Sequence, residues 1–394
     1  MRTYGVGMIG FGFIGKVHAH AHRALPLFYD PAPAKTRLIG VCTGSPDTAA
    51  KAADQAEMQF STTDYHALLA RDDIGMVHIC TPNDAHFSAV RDAILAGKHI
   101  YCDKPLTHNV AEAEQLCELA DCYGKVHQMT FNYRFVPAIQ RATELIDAGF
   151  LGDLFSFRAA YLHAGYIRPD RPFTWRTDMA RSGGGAIMDL GAHIIDLMRF
   201  LLDRPAVPGA GAFAQVSADL RTVIAERPDP KTGVMRRVDV DDIALAKCRL
   251  AGGATGIIEA SRLSTGVQDE LRFELHGSKG SLRFNLMQAD WLDAYDASEP
   301  EAALGGSRGY RRIECVTRYP RPYALGATKN TIGWLNFHIQ SLYDFVDNAA
   351  RKDAGLEMKP GSPTFKDGLA AQHIIAACQD SSARDGAWTT VGQA

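Results

Sequence analysis

Three groups of residues carry side chains and spacings suited to chemistry. Lys104 stands in Cys102-Asp103-Lys104-Pro105, directly after the apolar run KHIYC at 98–102. A lysine at the carboxyl edge of a parallel strand is placed to lend positive charge to an oxygen gaining negative charge. The proline after it biases the lysine toward extended backbone. Asp189 and His193 lie four residues apart in GGGAIMDLGAHIIDL (183–197), a spacing that puts them on one helix face. An imidazole exchanges a proton near neutral pH, and a carboxylate one turn away can orient it or bind a substrate hydroxyl. The surrounding run is apolar, and two ionisable groups on a largely buried helix need a reason. The third group is Gly10-Phe11-Gly12-Phe13-Ile14-Gly15. Its glycines suit a tight turn, a close backbone approach to a pyrophosphate, and close helix–strand packing. Taken singly, each group has a plainer reading: a solvated surface charge, a helix-surface ion pair, a tight turn.

Context strengthens the glycine loop. It follows the strand-like run YGVGMI (4–9) and opens a helical stretch from Lys16 to about Leu25, ended by Pro26. A second strand, 37–42, comes about twenty residues beyond the last glycine. Helical patterns at 47–57, 84–96 and 109–122 then alternate with strand patterns at 76–80, 98–102 and 125–130. Such alternation implies right-handed βαβ units and a parallel sheet. Residues 1–130 therefore read as a doubly wound dinucleotide-binding (Rossmann) domain, and 131–394 as a substrate and oligomerisation domain. In the latter, helix 136–148 precedes strand-like runs at 153–163, 213–223, 240–250, 255–263, 270–276 and 281–285. They imply an α+β domain with a large, mostly antiparallel open sheet, interrupted by one apolar helix at 186–202. Residues 299–330 read as irregular. Helices at 331–350 and 364–383 close the chain, the last one packing back on the Rossmann domain.

The end of the second strand, Thr43-Gly44-Ser45, is neither acidic nor basic. An acid there would hold the ribose diol of NAD, and a cation the 2′-phosphate of NADP. The absence of a cation in the turn favours NAD, with NADP open. His18 and His22 share a helix face, but packing or cofactor contact explains them better than metal, and no metal site is expected. Arg308, Arg311, Arg312, Arg318 and Arg321 read mostly as a solvated loop. Tyr161, His163, Tyr166, Trp175 and Arg176 suit a sugar pocket, where aromatic faces stack on C–H groups.

Bulk properties limit the partners. A formal net charge of -3 argues against nucleic acid or an anionic membrane. No apolar stretch approaches a membrane span, and no signal peptide precedes the first strand. The eight cysteines are scattered without a CxxC pair, which fits a reducing, cytoplasmic setting.

In this order the motifs resemble the Gfo/Idh/MocA family, the group of glucose–fructose oxidoreductase and inositol dehydrogenase. The resemblance spans nearly the whole chain: Gly10–Gly15, Thr81-Pro82-Asn83 with His86, Asp103-Lys104-Pro105, Asn132-Tyr133-Arg134, 183–197 and 365–386. It implies a catalytic group of Lys104, Asp189 and His193. It implies that Thr81, Pro82, Asn83 and His86 line the cofactor and that Asn132, Tyr133 and Arg134 face the substrate. Two departures stand out: Asp103 replaces the family's common glutamate, and Thr43 its common acid. The function implied is hydride transfer between a secondary alcohol of a sugar, cyclitol or related polyol and NAD(P). His193 would act as base, Lys104 would stabilise the alkoxide, and Asp189 would orient His193 or a substrate hydroxyl. Two rivals are an NAD-holding glycosidase that oxidises its sugar transiently and a non-catalytic dinucleotide sensor. An open antiparallel sheet needs cover, so a homodimer or homotetramer through that sheet is expected.

Overall fold

Strand β1 (Thr3–Ile9) is apolar on both sides because it lies inside a parallel sheet. The computed structural model describes residues 2–300, 306, 308–316 and 331–392. Beside β1 lie β2 (Lys35–Cys42), β3 (Phe60–Thr62), β4 (Met76–Ile79), β5 (His99–Cys102) and β6 (His127–Met129), in the order β3-β2-β1-β4-β5-β6. Every pair is parallel. The order reverses between β1 and β4, which places the ligand crevice at the carboxyl ends of those strands. Helices α1 (Phe13–Phe28), α2 (Pro46–Gln55), α3 (Tyr65–Leu69), α4 (His86–Leu95) and α5 (Val110–Asp121) connect them. Helix α1 does not stop at Pro26 as expected. The proline sits in the last turn, where it removes one intrahelical bond, and Tyr29 N–H still reaches the Leu25 carbonyl at 3.0 Å.

Two compact units divide the described residues, 2–132 with 333–369 in the first and 133–300, 306, 308–316, 331–332 and 370–392 in the second. Residues 333–369, assigned by sequence to the C-terminal domain, thus pack in the first unit. The reason is apolar: Ile339, Leu342, Phe345 and Val346 of the helix Trp334–Asp353 enter the same core as Val6, Met8 and Val41.

The second unit opens with α6 (Pro137–Asp147) and β7 (Leu154–Leu162), then the short α7 (Met179–Ser182). The expected helix at 186–202 is a π-turn, Ile187–Gly191, followed by α8 (Ala192–Leu202). Strands β8 (Phe213–Arg221), β9 (Glu226–Pro228), β10 (Met235–Arg237), β11 (Ile243–Leu250), β12 (Thr255–Ser261), β13 (Glu270–Gly277), β14 (Gly280–Asn285), β15 (Trp291–Asp296) and β16 (Arg311–Glu314) follow. Helices α9 (Trp334–Asp353) and α10 (Phe365–Ala383) and strand β17 (Thr389–Thr390) end the chain. The large sheet runs β16-β15-β14-β13-β7-β12-β11-β8-β17, antiparallel except for the β7–β12 pair. Strand β16 lies in the segment read as irregular. Its charged residues, Arg311 and Arg312 among them, hide a pairing with Trp291–Ala294 that local pattern does not reveal. Arg318 and Arg321 lie outside the described residues.

His18 and His22 are buried packing residues, as one of the two sequence readings has it. The His22 Nε2 and His78 Nε2 atoms are 2.9 Å apart, His78 Nδ1 and His18 Nδ1 3.1 Å, and His18 Nδ1 and the Cys80 Sγ 3.2 Å. The rings of Tyr101 and His338 pack against His18. Burial lowers His18, His22 and His338 from 6.5 to about 3, with Asp103 a weak opposing influence on His338, and burial with the neighbouring His22 and His18 holds His78 well below its ordinary value. Between those values the unfolded chain binds more protons than the folded one, so stability is complete above about pH 6.5 and lost as pH falls toward 3. Thermal unfolding should therefore show a melting temperature that declines below about pH 6.5, and His22→Gln should flatten that decline. A melting temperature independent of pH from about 7.5 to 5 would contradict the neutral cluster.

Candidate active site

One candidate region, in the first unit, is the carboxyl edge of the parallel sheet. The three loop glycines are there for different reasons. Gly10 has φ +90°, and a Cβ would sit 2.4 Å from the Cys80 carbonyl oxygen. At Gly15 a Cβ would lie 2.8 Å from the Gly10 carbonyl oxygen. Gly12 differs: its φ of -72° suits any residue, and a Cβ would meet nothing within 4 Å. Neither backbone nor packing demands glycine at that position, yet it is the N-cap of α1. The helix end has no side-chain cap and no acid in its first turn, which leaves its N–H groups and positive dipole end for an anion. Phe11 packs against the core beside the loop, Ile14 does the same, and Phe13 is exposed and stacks on Trp334. The buried Thr81 Oγ1 has no hydrogen-bond partner among the described residues. An open cradle, an uncapped helix end and an orphaned hydroxyl together fit a dinucleotide.

Around that cradle the expected residues divide into those facing outward and those that brace. Thr43 Oγ1 lies 2.6 Å from the hydroxyl of Thr48, a residue the sequence reading missed, and Ser45 Oγ 2.9 Å from it. Ser45 also caps α2 by accepting from Thr48 N–H. Pro82 leads into the short turn Asn83–Ala85, where Asn83 is buried. His86 is a strut rather than a lining residue: it is wholly buried, with Nδ1 2.9 Å from the Pro105 carbonyl oxygen and Nε2 3.0 Å from that of Thr81. It thereby ties the β4 loop to the Lys104–Pro105 segment, whose peptide bond is cis. Asp103 is also a brace. Its Oδ1 accepts from the Lys104 N–H at 2.9 Å and from the Thr130 hydroxyl at 2.7 Å. The shorter acid thus reaches the lysine's own backbone, and Lys104 is half-buried at the strand end. Asn132 is buried, its N–H on the Thr130 carbonyl.

A separate candidate region, in the second unit, centres on the π-turn. Asp241 is buried, and its two carboxylate oxygens accept from Gly185 N–H at 2.7 Å and Ile187 N–H at 2.8 Å, while its carbonyl accepts from Ala186. A Cβ at Gly185 would lie 1.7 Å from that carbonyl oxygen, which explains the third glycine of the run at 183–185. Burial raises the Asp241 carboxyl, and the two N–H donors oppose the shift. Asp189, on the π-turn, is held by Arg262, with Nη2 3.0 Å from Oδ2. Arg262 also donates to the Arg176 carbonyl and stands over the Tyr166 ring.

His193, on α8, is edge-on to Tyr133 at 5.0 Å and to Tyr161 at 5.8 Å. The Tyr133 and Tyr161 hydroxyls are 2.7 Å apart, and Tyr161 donates to Asp269 at 2.8 Å. Burial, then Tyr133 and Asp269, push the Tyr161 phenol well above 10, so it stays a donor. Beside them His163 Nδ1 accepts from Gly165 N–H, and burial lowers its proton affinity. Its Nε2 therefore carries the hydrogen at neutral pH. Trp175 is half-buried under the exposed Arg176, whose guanidinium carbon stands 4.3 Å from its ring centroid.

Arg134 corrects the sequence reading. It is buried in a two-pronged ion pair with Asp196, Nε 2.9 Å from Oδ2, so its charge supports α8 instead of facing a ligand. Sequence reasoning missed Asp241, Arg262 and Asp269. The one local signal was the acid run Asp239-Val240-Asp241-Asp242 ahead of an apolar strand, where a buried charge needs a partner.

The family model "Oxidoreductase family, NAD-binding Rossmann fold" matches residues 4–131, and "GFO/IDH/MocA C-terminal domain" matches 139–283. The chain is 34% identical to levoglucosan dehydrogenase of Pseudarthrobacter phenanthrenivorans, over 100% of this chain and 99% of that one. It is 30% identical to inositol 2-dehydrogenase of Rhizobium meliloti, over 71% and 75% of the two chains. A solved structure of levoglucosan dehydrogenase with NADH and levoglucosan superposes with a TM-score of 0.90 at 34% identity, covering 100% of both chains.

Gly12→Val tests the cradle. Thermal stability should stay near that of the native protein, because the site is sterically open, while the NADH dissociation constant in a fluorescence titration should rise at least about tenfold. Unchanged NADH binding in a folded Gly12→Val protein would remove the loop from the cofactor site.

Proposed function

The chain belongs to the GFO/IDH/MocA oxidoreductase family, and we propose that it is an NAD(P)-dependent dehydrogenase of a sugar, cyclitol or related polyol, oxidising a secondary alcohol. The observation that carries this reading is the π-turn, where Asp241 and Arg262 fix Asp189 one turn ahead of His193. Bound cofactor supplies the hydride acceptor, its nicotinamide ring. The glycine loop and Thr81 would hold it, with Thr43 and Ser45 at the ribose end and NAD favoured for want of a cation in that turn. His193 would take the hydroxyl proton as the carbon gives up its hydride. Lys104, its backbone held by Asp103, would stabilise the charge growing on the substrate oxygen. Asp189, with Arg262 behind it, would bind a neighbouring hydroxyl or orient the imidazole. Tyr133, Tyr161, His163 and Trp175 would shape the sugar side, with Asn132 and Arg176 at its margin.

The large sheet supports a homo-oligomer. Strand β11 alternates strictly, Ala244, Ala246 and Cys248 inward and Leu245, Lys247 and Arg249 outward. On that outward face Leu245 and Ile257 are 45% and 47% exposed, on β11 and β12. A second copy covering them would remove two aliphatic side chains from water. No helix among the described residues is long and apolar enough to cross a membrane. All eight cysteines are free and seven are buried, which supports a reducing, cytoplasmic setting.

A panel of sugars and polyols, offered with NAD and NADP separately and followed by absorbance of the reduced cofactor, tests the activity. Lys104→Met and His193→Asn should each lower kcat/KM by about 10²–10⁴-fold while NADH still binds. Full turnover in both variants would end the proposed mechanism, and sugar cleavage without net NADH would favour the redox-neutral glycosidase. Light scattering should give the mass of a dimer or tetramer, with Leu245→Asp shifting it downward; a native monomer would refute the sheet interface.

A further inference from the structure

At the end of β7 the second unit sets polar residues side by side on three neighbouring strands. Leu162, the last residue of β7, pairs with Ser261 of β12 on one side and Glu270 of β13 on the other. One step further the register brings Arg262, His163 and Asp269 into a row, on strands about 4.7–4.9 Å apart. Each end of the row leads to one member of the acid/base pair. Arg262 holds Asp189 at 3.0 Å, and Asp269 accepts at 2.8 Å from Tyr161, whose ring lies 5.8 Å from that of His193. Between them, burial lowers the proton affinity of His163, Asp189 and Asp269 oppose that shift, and Arg262 and Arg171 add to it, so all four charges stand close to the ring. Two atoms of the row have capacity left over. Tyr161 spends its one hydroxyl proton on Asp269 Oδ1, and among the described residues no other donor reaches that carboxylate. His163 takes the Gly165 N–H on Nδ1, so its Nε2 carries a hydrogen, with no acceptor among the described residues. Both side chains are half-buried.

We propose that Asp269 and His163 are specificity residues that together hold two neighbouring hydroxyls of the substrate, away from the carbon that is oxidised. The inference deepens the dehydrogenase reading above and rests on it. The atoms fix the polarity. An ionised carboxylate only accepts, so the group at Asp269 must donate, and an Nε2–H only donates, so the group at His163 must accept. A hydroxyl does both, and two hydroxyls on adjacent carbons match an acceptor and a donor on adjacent strands. A ketone, ether or fluorine facing Asp269 fails, because it brings no hydrogen. Since Arg262 ties Asp189 to the row and Tyr161 ties the row to the His193 ring, a sugar held at the acid/base pair presents its other hydroxyls to the row. Charge narrows the class further. Asp189 offsets Arg262, and Asp269 offsets Arg171, whose guanidinium lies over Tyr166 and donates to the Gly165 carbonyl. No net charge remains among the four to draw an acid or a phosphate, so the substrate is a neutral polyol with a free diol at this position.

The test reads the substrate one hydroxyl at a time, in the full chain with its cofactor. The best neutral sugar of the panel is compared with its deoxyfluoro analogues, in each of which one hydroxyl loses its hydrogen at little change in size. At one position away from the oxidised carbon the native protein should lose about tenfold or more in kcat/KM, as a hydrogen bond to a charged group would give. Asp269→Asn keeps an oxygen for Tyr161 and puts an amide N–H where the open oxygen stood. It should lower kcat/KM on the parent sugar about tenfold and erase the discrimination against that analogue, with the melting temperature kept. Asp269→Ala, which removes both oxygens, should erase it as well. His163→Phe should erase discrimination against the deoxy sugar at the neighbouring position. A merely structural role would lower turnover of parent and analogue alike, and that outcome overturns the proposal. So does a native protein indifferent to every hydroxyl but the reacting one. Faster turnover of an aminosugar or a uronate than of the neutral parent overturns it in favour of an ion site. If no sugar yields NADH, the dehydrogenase reading fails, and the pair is judged by calorimetry of glucose with the NADH-loaded protein. Equal binding of glucose by native protein and Asp269→Asn, or none by the native protein, then overturns the pair on its own.

Discussion

The start of the π-turn and of α8 depends on one buried carboxylate. Asp241 satisfies the N–H groups that open the helix at Gly185 and Ile187, and its own carbonyl takes the one between them. A helix start buried without such partners would leave donors stranded at about 1–3 kcal/mol each. The closeness of the approach in turn dictates glycine at position 185, because a side chain there would collide with the Asp241 backbone. From this fixed start the π-turn carries Asp189 and the next turn carries His193. One remote acid thus dictates the glycine at position 185 and where two ionisable side chains emerge.

The dinucleotide edge obeys a different constraint, the emptiness of a space. At Gly10 and Gly15 the glycines prevent collisions within the protein, whereas at Gly12 there is nothing to collide with. Structure and ligand therefore impose separate requirements within six residues, and the coordinates distinguish them where the motif alone does not. The same division recurs nearby. Thr81 presents a buried hydroxyl with no partner among the described residues, while His86 and Asp103 spend their polar atoms holding loops together.

Local pattern made the parallel sheet, the antiparallel sheet and the positions of Lys104, Asp189 and His193 legible, because each follows from periodicity, turn residues or a charge where none is expected. What escaped was set by partners far apart in the chain. Arg262 stands 73 residues from Asp189 and Arg134 stands 62 from Asp196, so neither pairing leaves a local trace. Arg134 was misread for that reason: an arginine beside two polar residues looks like a ligand contact until its carboxylate partner is seen. The β16 strand and the passage of α1 through Pro26 escaped for a related cause, since pairing and packing there outweigh local propensity.

The buried charges around α8 also bear on why the architecture is retained. Arg134–Asp196 and Arg262–Asp189 place guanidinium groups that are 5% and 1% exposed against carboxylates on the π-turn and on α8. Such pairs are poor sources of stability, since desolvation offsets most of their attraction and well-packed apolar groups often do as well. What an apolar pair lacks is direction. A forked guanidinium holds a carboxylate at a defined distance and angle, whereas aliphatic contacts tolerate sliding. Proton and hydride transfer tolerate little misplacement of the reacting groups. The ion pairs, the Asp241 bonds and the Tyr133–Tyr161–Asp269 chain all converge on the π-turn and α8, where Asp189 and His193 stand. Their common effect is positional: they fix where Asp189 and His193 stand, and the apolar core around them supplies the stability.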